Sequence, residues 1–81
     1  MPMIFHNLRG YRVFFFSLDC GEPMHAHVAE GRGYAKYWMR PPELARSRNV
    51  RSHELHEIAR LIEENRADIA GRWHAHFGRE T

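Results

Sequence analysis

Leu55, Ile58, Leu61, Ile62, Asn65, Ile69, Trp73 and Phe77 recur with helical spacing through the second half of the chain. Such a set lies along one side of a helix, so the pattern predicts one long helix over about 53–77, with an apolar stripe broken by a single polar residue. Ser52 is placed to cap its start through the hydroxyl, with Val50 packing back on the first turns as a staple. Glu54 and Glu57 sit near the positive end, where they are favoured. Gly78 is a natural terminator. Gly71 weakens an exposed helix by about 1 kcal/mol relative to alanine. The stripe resumes in register at Trp73, which favours one helix over two.

The first half reads as strands. Met1 to His6 is short and apolar, and Pro2 lacks a ladder donor, so an edge strand over about 3–6 is expected. Asn7-Leu8-Arg9-Gly10 supplies a turn. Tyr11 to Leu18 is aromatic or β-branched and apolar on both faces, as a central strand should be. Asp19-Cys20-Gly21-Glu22-Pro23 is a turn cluster. Two further strands follow, about 25–30 and 34–39, around Gly31-Arg32-Gly33. In the second of them Tyr34, Lys36 and Trp38 share one face, and Ala35, Tyr37 and Met39 the other. Pro41-Pro42 ends that strand, and Glu43 to Arg46 is read as one helical turn with Pro42 at its first position. The expected fold is α+β: a four-stranded, mainly antiparallel sheet with one long C-terminal helix packed on one face, in a single domain over 1–81.

Composition narrows the class. A chain of 81 residues builds a small core that asks for good packing or a partner. Hydrophobic residues at 43 % and charged residues at 27 % mark a globular rather than a disordered chain. The single cysteine, Cys20, allows no internal disulfide and fits a reducing compartment. No basic segment precedes an apolar run and no 18 apolar residues are consecutive, which argues against a signal peptide and a membrane span. The cytoplasm is the expected location. Residues 1–51 carry eight Arg or Lys against four Asp or Glu, a balance of +4, and residues 52–81 four against six, a balance of −2. The excess is concentrated between Arg32 and Arg51, which includes Arg40, Arg46 and Arg48. Eleven of the twelve basic residues are arginine, the side chain suited to bidentate phosphate or carboxylate contacts. Such a patch meets nucleic acid, an acidic partner or only solvent.

The chemistry-bearing residues centre on His25-Ala26-His27. On a strand, a period of two puts both imidazoles on one face roughly 7 Å apart. Imidazoles can serve as acid or base, and Arg12, Lys36 or Arg40 on neighbouring strands can supply cations for developing charge. These are the ingredients of a metal-independent ribonuclease site with His25, His27 and Lys36 as catalytic candidates. The same pair plus one helical histidine (His53, His56, His74 or His76) is a three-histidine alternative for zinc, although no recognised ligand spacing is present. No bound cofactor is expected. Tyr34, Lys36, Trp38 and Arg40, with Arg12, Arg46 and Arg48, interleave aromatics and cations as base-stacking sheets do. The competing reading is a basic, aromatic protein-binding face. An apolar helix tail with Trp73 and Phe77 also suggests a homodimer.

Several of these residues together resemble a known family. Met1-Pro2-x-Ile4-Phe5, Gly10-Tyr11-Arg12 leading into Phe14-Phe15-Phe16, and Gly21-Glu22-Pro23-x-His25-x-His27-Val28 are similar to the DUF4160 family of small bacterial proteins. So are Ala35-Lys36-Tyr37-Trp38, Ser52-x-Glu54-Leu55, Glu64-Asn65 and Trp73-His74-x-x-Phe77. The chain departs from that pattern at Ala26 and Gly71. The resemblance implies a component of a toxin–antitoxin-like pair whose partner is a DUF2442-like protein. It brings no catalytic residues with it.

Overall fold

The computed structural model describes residues 3–16, 21–39 and 42–78. Five antiparallel strands, β1 (Met3–Leu8), β2 (Tyr11–Phe14), β3 (His25–Glu30), β4 (Gly33–Met39) and β5 (Pro42–Arg48), form one sheet in sequence order. Two helices follow, α1 (Ser52–Glu64) and α2 (Arg66–Phe77). This corrects the expectation of four strands and one long helix. The meander pairs each strand with its predecessor in the chain. At the first turn Arg9 and Gly10 both adopt positive φ, 55° and 92°, and the Gly10 amide donates to the Asn7 side chain at 2.7 Å. At the turn into β4, a Cβ on Gly33 would stand 3.1 Å from the Asn49 carbonyl oxygen and 3.2 Å from that of Glu30. Only a residue without a side chain lets the end of β5 lie that close.

The fifth strand replaces the expected helical turn at 43–46. Every residue of β5 is exposed, so no apolar alternation announces it. Its pairing with β4 includes Tyr34 with Arg48, Lys36 with Arg46, Tyr37 with Leu44 and Met39 with Pro42, with a register shift after Lys36. Pro42 is tolerated because it is the first residue of an edge strand. The first strand likewise runs on to Leu8, past the expected end at residue 6. The second ends at Phe14, short of the expected run to Leu18.

The helical stripe breaks at Asn65, not at Gly71. Asn65 has φ −111° and ψ 19°, and its side-chain amide donates to the Leu61 carbonyl at 2.8 Å, as its own backbone N–H does at 3.1 Å. A short amide side chain that competes for the same carbonyl ends a helix readily. The start also differs from expectation. Arg51 rather than Ser52 is the capping position, and its backbone N–H donates to the Glu54 carboxylate at 2.9 Å. The C-terminal end is as expected: Gly78, at φ 88°, donates its N–H to the His74 carbonyl. Gly71 lies within α2, and a Cβ there meets nothing within 4 Å. Gly71→Ala should therefore raise stability by about 0.5–1 kcal/mol, read as a higher denaturation midpoint with an unchanged slope.

Both helices cover one face of the sheet. Val13, Phe15, Ala26, Val28, Ala35, Tyr37 and Met39 pack with Ile58, Leu61, Ile62, Ile69 and Trp73 in one apolar cluster. Trp73 is fully buried and stacks its edges on Phe15 and Phe77, at 5.4 and 4.5 Å between ring centroids. The apolar helix tail is thus covered largely within the chain. Two tyrosines tie sheet to helix: Tyr37 donates its hydroxyl to the Leu55 carbonyl at 3.0 Å, and Tyr11 donates to the Glu57 carboxylate at 2.8 Å. No helix among the described residues is long and apolar enough to cross a membrane.

Burial first, and then the neighbouring Glu57 carboxylate, push the Tyr11 hydroxyl up to about 12, and burial alone raises that of Tyr37. A raised value means that the fold favours the protonated phenol. That contribution is complete below pH 10, the ordinary value, and is lost as pH rises through about 12. Thermal midpoints should fall steeply across that window. In Tyr11→Phe the fall should be shallower, after a loss of about 1 kcal/mol at pH 8 from the missing hydrogen bond.

Candidate functional site

Period-two alternation and register together sort the opposite face into rows. Phe14 pairs with His27, His27 with Lys36 and Lys36 with Arg46, so one row crosses four strands. The next row is Arg12, Ala29, Tyr34 and Arg48, and the row before it is His25, Trp38 and Glu43. His25, His27, Lys36, Arg12, Tyr34, Trp38, Arg46 and Arg48 therefore lie on the sheet face away from the main helix-packed layer. Arg40, the remaining candidate, and Cys20 lie outside the described residues.

The two histidines differ in surroundings although they share a face. His25 has no exposed surface. As the first residue of β3 it is reached from both layers: its ring lies 5.6 Å from Trp38 and 5.2 Å from Trp73 of α2. Its Nδ1–H donates to the Pro23 carbonyl at 2.9 Å, and Glu22 Oε1 stands 3.6 Å from the same nitrogen. His27 is 4 % exposed and is flanked by Phe14 at 5.4 Å and Tyr34 at 5.8 Å in near-parallel stacks. Phe16 closes on it edge-to-face at 4.9 Å. Aromatic neighbours, not a second layer of helices, thus bury His27 on a face that is otherwise open.

One polar contact leads out of that stack. His27 Nδ1 and the Tyr34 hydroxyl are 2.7 Å apart. With the ring in its Nε2–H tautomer, the phenol donates to Nδ1. Tyr34 is half-buried and also lines an open groove of about 460 Å³ with Phe16, Arg32, Arg46, Ser47 and Arg48. In the adjacent row, Lys36 Nζ sits 2.8 Å from Glu22 Oε1 and 4.6 Å from the centre of the Trp38 ring. The arrangement is a titratable pair opening on a groove with three guanidinium groups and one exposed phenyl ring.

Sequence reasoning did not single out Phe16, Arg32 or Glu22. The side of Phe16 was available from period two: if Val13 and Phe15 face the helices, Phe14 and Phe16 point to the opposite face. Glu22 comes to Lys36 only through the loop before β3, which no local pattern encodes. The other histidines are dispersed. His6, His53, His56 and His76 are exposed, and His74 is half-buried on α2. Among the described residues no group of three or more His, Cys, Asp or Glu is arranged to hold a metal ion.

No curated protein and no solved structure matches the chain. The family model of DUF4160, a domain of unknown function, matches residues 10–74. That span begins at the turn into β2 and ends beside Trp73, so it contains β2 to β5 with His25 and His27, all of α1, and α2 as far as His74. The chain belongs to the DUF4160 family.

Proposed function

We propose that the protein cleaves single-stranded RNA using protein groups alone, with His27 and Tyr34 as the proton-transferring pair. The observation that carries this reading is the 2.7 Å contact between His27 Nδ1 and the Tyr34 hydroxyl at the margin of an arginine-lined groove. The Tyr34 hydroxyl takes the proton of a ribose 2′-hydroxyl as its own passes to His27. The 2′-oxygen attacks phosphorus and the bond to the 5′-oxygen breaks, leaving a 2′,3′-cyclic phosphate and a 5′-hydroxyl. Solvent water protonates the departing 5′-oxygen and the imidazolium returns its proton to solvent, while Arg46 and Arg48, which line the groove, stabilise the charge on the phosphorane. Lys36, held by Glu22 at 2.8 Å, stands outside the lining of the groove. His25, with no exposed surface, is a positioning residue that holds the base of the stack.

Such an activity would make this chain the toxic member of a toxin–antitoxin-like pair, with a DUF2442-like protein covering the groove. The test is incubation of the purified, untagged protein with end-labelled single-stranded RNA in the presence of a chelator. Fragments ending in 2′,3′-cyclic phosphate are expected, and co-expression with a DUF2442-like protein should suppress them. Intact RNA, or cleavage only on addition of a divalent cation, would overturn the reading.

A further inference from the structure

The groove beside Tyr34 has more structure than a phosphate site requires. Phe16 is 42 % exposed, yet its ring is held in place by edge-to-face contacts with Phe14 at 5.6 Å and His27 at 4.9 Å. Arg32, Arg46 and Arg48 line the same groove, and none of its described lining residues is acidic. A volume of about 460 Å³ falls in the size range of sites for single small molecules. It suits one or two nucleotides.

We infer that this groove binds single-stranded RNA by stacking one unpaired base on Phe16 while Arg32, Arg46 and Arg48 hold the flanking phosphates. The inference rests on the reading that RNA is the substrate, and it names how the substrate is selected. A fixed aromatic face accepts any base, so the selection is for strandedness rather than sequence. In an A-form duplex the base faces are already stacked on one another and are not available to a phenyl ring. An acidic peptide would satisfy the arginines but has no flat π-face for Phe16. The stacked base also fixes the position of the adjoining ribose relative to Tyr34, which lines the same groove. Binding and proton transfer are thereby coupled through Phe16 and His27, whose rings touch.

The experiment uses labelled oligonucleotides whose 2′-positions carry O-methyl groups, so that none can be cleaved and binding is read alone by fluorescence anisotropy. The single strand is expected to bind at least tenfold more tightly than its duplex. Phe16→Ala should weaken it about tenfold, in keeping with the loss of one base–aromatic stack. Phe16→Trp should restore it, and abasic substitution along the oligonucleotide should mimic the alanine variant. Arg46→Ala and Arg48→Ala should each lower the salt dependence of binding, since each releases fewer counterions. Equal affinity for duplex and single strand, indifference to both Phe16→Ala and the abasic sites, or displacement by polyglutamate at matched charge would each overturn the inference. Because the probe cannot react, loss of the cleavage mechanism leaves these outcomes standing, and their failure is separate from it.

Discussion

Tyr34→Phe should reduce RNA cleavage by about 10²–10⁴-fold, the range over which one positioned acid–base group acts. The substitution keeps the ring that stacks on His27 and removes only the hydroxyl that reaches Nδ1. The thermal midpoint should therefore move by only a few degrees, and KM should stay close to that of the parent while kcat falls. His27→Phe is the complementary change. It retains an aromatic ring between Phe14 and Tyr34 while deleting the proton acceptor, so it should lose activity to a similar extent. Two groups that act as a unit are not additive, and the double variant should be no slower than either single one. The limb of the pH–rate profile that reports the base should disappear in all three. A fully active Tyr34→Phe protein would sink the assignment. Multiplying losses in the double variant would separate the two residues into independent roles and sink the paired mechanism.

That His25 and His27 share a face was legible in the sequence because it depends on strand periodicity, which is local; which side of the sheet carries them was not. Once Ala26 and Val28 are taken as the core side of β3, His25 and His27 must lie opposite. The hairpin through Gly31-Arg32-Gly33 then brings Lys36 and Trp38 beside them. What could not be read was how an imidazole on the face without helices becomes buried. That requires Phe14, Phe16 and Tyr34 to converge on His27 from two neighbouring strands, a consequence of register. β5 was missed for the opposite reason. A strand exposed on both faces carries no apolar signal, and its Pro-Pro start reads locally as a helix beginning. At Asn65 the apolar spacing was correct, since Ile69 and Trp73 are both buried in the same cluster as Ile58 and Leu61. Spacing reports which side faces the core but is blind to a single residue whose side chain takes over a backbone acceptor.

The largest effect on stability is expected at Trp73. Its side chain is fully buried between Phe15 and Phe77 and against His25, with ring centroids 5.4, 4.5 and 5.2 Å away. Trp73→Ala removes the largest of the buried α2 side chains, which packs on Phe15 in the helix-facing core and on the first residue of β3. Large-to-small changes of this type cost about 3–5 kcal/mol. In a chain of this length each kcal/mol lowers the melting midpoint by roughly 4–8 °C, so a fall of at least about 12 °C should be seen by circular dichroism. Trp73→Phe should behave differently. The indole Nε1 is buried with no hydrogen-bond partner among the described residues, and an unsatisfied buried donor costs about 1–3 kcal/mol. Removing it offsets part of the lost ring volume, so Trp73→Phe should lie within about 1.5 kcal/mol of the parent. None of the described lining residues of the groove belongs to α2, so below its melting point Trp73→Ala should still bind the uncleavable single strand through Phe16 and the arginines. A midpoint within a few degrees of the parent for Trp73→Ala would mean that α2 is not what seals the end of the sheet. His25 would then owe its burial to Trp38 and the Pro23 turn alone.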